Sequence, residues 1–240
     1  MIITSPNNPQ LKEIRRLSRK RGRDAAGRFV AEGEDLLQAA RVAGWPAIEC
    51  YVAAGSGLDG VEVEPELLDR ASGLGSGTRA LGIFEERWGA PAGPLCVALY
   101  GVGDPGNVGT ILRSAVAFGA ASVAIGPGCA DPFGPKAVRA SMGAIFEVAV
   151  AKAPSFGMLP GQVVALAARA GEPLGAMTGG AVTLLVGSER EGLSDELLEQ
   201  ADVVAHIPIK TESLNAAMAA TVALYELTRT AGGLAGMGES

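Results

Sequence analysis

The apolar residues of this chain follow two rhythms. From residue 95 onward, LCVALYG at 95–101, ASVAIG at 121–126, QVVALAA at 162–168, AVTLLVG at 181–187 and VVAHI at 203–207 are almost continuously apolar. Between them lie segments with helical periodicity at 107–118, 135–141, 194–200 and 213–230. Strands apolar on both faces that alternate with helices predict a parallel sheet covered on both sides. Before residue 88 the runs are shorter and more mixed. They predict a helix at 7–21, a strand at 28–32, a helix at 34–43 after the break at Gly33, a strand at 48–53, a helix at 65–72 and a strand at 79–84. WGAPAGP at 88–94 reads as a linker. The pattern therefore predicts an α/β protein: a small α/β domain at 1–88, a linker at 89–94 and a parallel-sheet domain at 95–240, with a frayed Gly-rich tail from Gly232.

Composition narrows the class. With 240 residues and 48% hydrophobic content, the chain is long enough for one or two cores. It contains no apolar run of about 18 residues to cross a bilayer, and its start, MIITSPNNPQLK, lacks the apolar stretch of a secretion signal. A cytoplasmic protein with no membrane partner is expected. Cys50, Cys96 and Cys129 are odd in number and far apart, and His206 is the only histidine. This pattern supports neither a disulfide framework nor a metal site, and the three thiols are expected to be buried.

Charge changes the picture more. The net charge is −6, yet residues 1–28 hold Lys12, Arg15, Arg16, Arg19, Lys20, Arg21, Arg23 and Arg28 against only Glu13 and Asp24. A basic arm on an acidic body fits a phosphate-bearing partner. Leu11, Ile14 and Leu17 form an apolar edge that would dock the arm and turn Arg15, Arg16, Arg19, Lys20, Arg21, Arg23 and Arg28 toward RNA. The alternative is a helix face that is merely solvated.

Candidate chemistry sits where strands hand over to helices. DPGNVGTILRSAVAFGA carries Asn107, Gly109, Arg113 and Phe118-Gly119, LLVGSEREGL carries Gly187, Glu189 and Gly192, and HIPIKTESLNAA carries Ile207-Pro208 and Ser213-Leu214-Asn215. Backbone amides at such junctions can hold a small polar cofactor. Gly101-Val-Gly103-Asp-Pro-Gly106 fits a lone G-x-G-x-x-G, but the acidic ribose partner of a dinucleotide site is missing about 20 residues further on. Asn107 and Ser213 can each be read as plain N-caps. Asn215 has low helix propensity in an Ala-rich segment and so suggests a contact. Ser194, followed by Leu197, supplies the next cap and frees Glu189. Arg113 falls six residues after Asn107 among apolar residues; buried there, it would need an anionic partner. Leu214, Met218, Val222 and Tyr225 are expected to line the inner face of the last helix.

The three stretches resemble the three motifs of the SpoU (TrmH-like) branch of the SPOUT RNA methyltransferases: N-x-G-x-x-x-R-x-A-x-x-F-G, G-x-E-x-x-G-L and I-P-x…S-L-N-A, in order. The match spans about 95–230. GRFVAEGEDLLQAA resembles the small ribosomal-protein-like substrate-binding domain that many members carry. The resemblance implies a deep trefoil knot, a homodimer and transfer of methyl from S-adenosylmethionine to a ribose 2′-hydroxyl of RNA, ribosomal more than transfer RNA, with a non-catalytic RNA-binding member as the alternative. It also implies that Leu185, Val186, Gly187, Gly192, Ile207, Pro208, Ile209, Leu214, Asn215 and Ala216 hold the cofactor, with Asn107, Arg113, Glu189, Ser213 and Asn215 at the reaction centre. One departure stands out. Ile209-Lys210-Thr211-Glu212 is two residues shorter than the commonest family spacing and lacks its usual glycine.

Overall fold

The computed structural model describes residues 2–72, 77–175 and 180–229; the tail from Gly232 lies outside them. In chain order the elements are α1 (Pro9–Leu17), α2 (Lys20–Ala26), β1 (Arg28–Glu32), α3 (Glu34–Val42), β2 (Glu49–Ala53), β3 (Val61–Val63), α4 (Pro65–Ala71), β4 (Ala80–Glu85), β5 (Leu95–Leu99), α5 (Pro105–Ala117), β6 (Ser122–Ile125), α6 (Pro135–Ser141), β7 (Ala149–Lys152), β8 (Gln162–Ala167), β9 (Glu172–Pro173), β10 (Val182–Val186), α7 (Asp195–Gln200), β11 (Val203–His206) and α8 (Ala216–Arg229). Short edge strands β3, β7 and β9 are additions to the sequence reading, being too brief to show a period.

Two sheets form among the described residues, one of four strands in the order β1-β4-β2-β3 and one of seven in the order β7-β6-β5-β10-β8-β11-β9. Every pairing in the larger sheet is parallel, with Leu95 opposite Val182 and Val186 opposite Leu166. As expected for a sheet covered on both faces, alternate β5 residues enter different cores. Leu95, Val97 and Leu99 pack beneath α5 and α8, and Cys96 and Ala98 beneath α7. The parallel arrangement brings the C-terminal ends of β5, β8, β10 and β11 to one edge, where open α/β sheets place their ligands.

The basic arm is two helices rather than one over 7–21. The Ser18 hydroxyl donates to the Arg15 carbonyl at 2.8 Å and Arg19 is extended. Gly22 then lies so close to α1 that a Cβ there would sit 2.0 Å from the Arg16 carbonyl oxygen. The arm folds back on itself, and only glycine permits that approach.

Packing in α8 corrects a second expectation. Its buried face is Ala216, Ala217, Ala220, Ala223, Leu224 and Leu227, whereas Met218, Val222 and Tyr225 are exposed. The cause is close approach to α5, where Ser114 and Thr221 share a 2.6 Å hydrogen bond. Small residues are selected at such a contact, so the larger side chains turn outward. The helix also starts at Ala216 rather than at Ser213, because Asn215 Oδ1 accepts from the Ala217 and Met218 amides at 2.9 and 3.3 Å.

The two sheets share a core. Phe29 packs on Phe133 with ring centroids 4.9 Å apart, Phe84 on Phe146 at 5.0 Å and Trp88 on Phe133 at 5.0 Å. Each such pair adds about 0.5–1.5 kcal/mol to the burial itself. The 88–94 segment is stitched down: the Gly89 amide donates to the Val150 carbonyl at 2.8 Å and the Ala92 amide to Ser122 Oγ at 2.9 Å. Of the cysteines, Cys96 is buried while Cys50 and Cys129 are only half-buried.

Candidate active site

At the strand ends, three side chains from separate stretches form one hydrogen-bonded chain. Asn215 Nδ2 donates to Asn107 Oδ1 at 3.0 Å, and Asn107 Nδ2 donates to Glu189 Oε1 at 2.7 Å. The order is imposed from one end. Because the Oδ1 of Asn215 caps α8, its amide nitrogen must face Asn107, and Asn107 can then offer only its own nitrogen to the carboxylate. Asn107 is not the N-cap. Asp104 caps α5 and accepts from the Asn107 amide at 2.9 Å, which puts Asn107 in the first helical turn behind Pro105.

Burial alone would raise the Glu189 carboxyl. The Asn107 amide and the backbone amides of Glu189, Asp104 and Gly103 outweigh it and lower the pKa below the usual carboxylate value. Glu189 is thus held as an anion at neutral pH.

Beside this chain lies a cavity of about 380 Å³ bounded by the ends of β8 and β10, the 187–193 turn and the start of α8. It contains the expected Val186, Gly187, Gly192, Ile207, Ile209, Leu214 and Ala216, together with Glu189 and Ser213. Three cofactor expectations fall elsewhere. Leu185 is fully buried in the core with Cys96 and Ala98 because successive strand residues point to opposite faces. Pro208 lines a neighbouring hollow with Arg169, His206 and Lys210, and Asn215 belongs to the amide chain. The sequence reading missed Leu166–Ala170, Leu198 and Ala219 in the wall. Only the placement of β8 next to β10 brings Leu166–Ala170 there.

The turn closing the cavity is tight. Ser188 and Gly192 exchange backbone hydrogen bonds of 3.0 and 3.1 Å. A Cβ at Gly187 would lie 2.3 Å from the Gly192 carbonyl carbon, and Gly192 itself has φ +69°. Both glycines are needed by backbone geometry.

Arg113 departs from expectation. It is exposed, no carboxylate lies within 4.0 Å of it among the described residues, and it is not part of the cavity wall. Six residues separate it from Asn107, about 9 Å along α5.

The basic arm divides. Lys12, Arg15, Arg16, Arg19 and Arg21 line a hollow of about 470 Å³ over Gly22. Arg16 is paired with Glu13 at 2.7 Å and Lys20 with Asp24 at 3.0 Å; Arg28 is exposed at the start of β1. Arg23 corrects the expectation of an RNA contact. It is only 4% exposed and bonds Asp131 at 2.6 Å, because α2 turns that side chain under the arm toward the larger sheet.

Comparison with known proteins agrees with this geometry. Residues 94–225 match the SpoU rRNA Methylase family, and residues 8–72 match the MRM3-like substrate binding domain. An uncharacterized tRNA/rRNA methyltransferase of Synechocystis is 30% identical, with 95% of this chain and 93% of the relative covered. RlmP of Bacillus subtilis, named a 23S rRNA (guanosine(2553)-2′-O)-methyltransferase, is 28% identical over 94% of this chain and 98% of its own. The crystal structure of an AdoMet-bound rRNA methyltransferase from Sinorhizobium meliloti superposes with a TM-score of 0.82 at 32% identity, covering 95% of this chain and 97% of that one. The motifs, the parallel sheet and these matches together make the chain a member of the SpoU rRNA methylase family.

Proposed function

We propose that this protein transfers a methyl group from S-adenosylmethionine to a ribose 2′-hydroxyl of RNA, with ribosomal RNA as the substrate. The observation that carries the reading is the Asn215–Asn107–Glu189 chain bordering a cavity at the C-terminal ends of four parallel strands. The wall suits the cofactor. Leu166, Val186, Leu193, Ile207 and Leu214 offer an apolar bed for an adenosyl group, and side-chain-free Gly187 and Gly192 expose main chain.

When bound, the cofactor supplies an electrophilic methyl whose leaving group needs no acid, so positioning can supply much of the rate. The amide chain fixes Glu189, and Ser213 lies on the same cavity wall. Arg113 is exposed and has no acidic partner among the described residues, so its guanidinium fork is available to a phosphate. Its role is to hold the phosphate beside the target ribose and orient the hydroxyl, whose proton leaves to phosphate or water. Arg113→Lys should retain measurable methyl transfer with no new pH dependence; complete loss with RNA binding intact would contradict this role.

The rest of the architecture follows the same reading. Residues 1–88 form the RNA substrate-binding domain, 89–94 the linker and 95–240 the catalytic domain, whose C-terminal stretch is threaded as a trefoil knot. The insertion of β10 between β5 and β8 supports that threading. A homodimer is supported by Met218, Val222 and Tyr225, which expose an apolar stripe at helical spacing on α8. Among the described residues no helix is long and apolar enough to cross a membrane.

The test is transfer of labelled methyl from S-adenosylmethionine to unmodified ribosomal and transfer RNA, followed by nucleoside analysis. Label on ribose in ribosomal RNA is expected. Label confined to transfer RNA overturns the substrate, and label on a base overturns the reaction. The short 209–212 loop favours one rival, an RNA-binding member without activity. RNA affinity with no cofactor affinity in calorimetry would establish that rival.

A further inference from the structure

Arg23 ties the arm that carries the cations to the loop leading into α6. Arg23 Nη1 donates to the Leu17 carbonyl at 2.9 Å, holding the end of α1, while Nε and Nη2 donate to Asp131 Oδ2 at 3.0 and 2.6 Å. Arg23 therefore fixes the angle between α1 and α2, and with it the basic hollow above Gly22. Burying this charge is costly, and the two acceptors offset that cost only in this geometry.

Asp131 is equally committed. Its Oδ1 accepts from the Phe133 amide at 2.9 Å and its carbonyl from the Gly134 amide at 3.1 Å, shaping the loop that enters α6. That loop is laced to the β5–α5 loop: the Ala130 amide donates to the Val102 carbonyl at 2.8 Å and the Gly101 amide to the Pro127 carbonyl at 2.9 Å. Two residues on, Asp104 caps α5 and orients Asn107, which holds Glu189. Polar contacts joined by the main chain at 130–131 and 102–104 thus lead from the basic arm to the reaction centre.

We propose that Arg23 is a positioning residue for methyl transfer: its link to Asp131 sets the register between RNA held on the α1–α2 hollow and the loop that carries Asp104 and Asn107. This rests on the RNA-methylating reading above. RNA would still be bound through Lys12, Arg15, Arg19 and Arg21 without the link, but the target ribose would be presented out of line, lowering kcat more than it raises KM.

The test replaces the pair by uncharged residues, Arg23→Met with Asp131→Asn, so that the Asn oxygen still accepts from the Phe133 amide while the ion pair is lost. The variant is expected to melt near the parent temperature and bind S-adenosylmethionine alike. Amide exchange at 101–104 and 127–131 should be about tenfold faster than in the parent, with β5 and β10 unchanged. Turnover on RNA should fall about tenfold at near-constant KM. Unaltered exchange in those loops overturns the coupling, and full turnover despite faster exchange overturns the positioning role and leaves a fold brace only. If the parent itself transfers no methyl, the functional reading fails while exchange still decides the coupling. Should the double variant not fold, Arg23→Lys, which keeps the charge but loses the fork, provides the same comparison.

Discussion

The cavity and the amide chain meet at Glu189, yet they are built from different materials. The cavity owes its shape to where the main chain turns: a doubly hydrogen-bonded turn at 188–192, two glycines and the ends of β8 and β10. The chain Asn215–Asn107–Glu189 depends on three side chains whose order is dictated by the capping of α8. A turn shaped by main chain fails where a Cβ is added. A side-chain relay fails wherever one member is truncated. Cofactor affinity and turnover should therefore respond to different substitutions.

The strongest test of that separation is Glu189→Ala. Turnover should fall by about two orders of magnitude as a positioned charge is lost, while S-adenosylmethionine affinity in calorimetry changes little. Equal losses in both would merge the two regions into one. Gly187→Val is the converse: its Cβ would lie 2.3 Å from the Gly192 carbonyl carbon, so the turn must open. Cofactor affinity should drop at least tenfold, with about 1–3 kcal/mol of stability lost to overpacking in thermal unfolding.

Asn107→Ala sharpens the comparison through pH. Its turnover should fall about tenfold with loss of a hydrogen bond to a charged group. In the parent the folded Glu189 pKa is lowered, so the carboxylate contributes stability above its unfolded pKa, and that contribution is lost as pH falls through the lower, folded value. Without the Asn107 donor the folded value rises, and the acid limb of the pH–rate profile should move to higher pH. An unmoved limb would mean that Glu189 does not govern it.

The mildest effect on chemistry should come from the arm. Arg15, Arg19 and Arg21, all changed to Gln, should raise KM for RNA and flatten its salt dependence by about two to three units of log–log slope, leaving turnover at saturating RNA near the parent value. A fall in turnover instead would place these cations beside the reacting nucleotide.

Much of this arrangement was legible in the residues themselves. Ser194 was expected to cap the helix after Glu189, and it does, with Oγ accepting from the Leu197 amide. The near-continuous apolar runs identified five strands of the larger sheet and missed the two at its edges, β7 and β9, since burial on both faces is complete only inside the sheet. Where the reading failed, close packing or local hydrogen bonding had overridden a general preference. Hydrophobicity assigned Met218, Val222 and Tyr225 to the inner face of α8, but tight contact with α5 favours alanine there. Charge placed Arg23 on the RNA-facing side of the arm, but the fold-back at Gly22 directs it inward to Asp131.

The order of strands and helices, the basic arm and the identity of the motif residues were determined by the sequence alone, because they depend on local periodicity and side-chain chemistry. The meeting of Asn107, Glu189 and Asn215, the contribution of Leu166–Ala170 to the cavity and the burial of Arg23 were decided only by tertiary structure. Each joins residues that are far apart in the chain, and which strand lies beside which is set by the summed packing of the whole sheet, a quantity no local window contains.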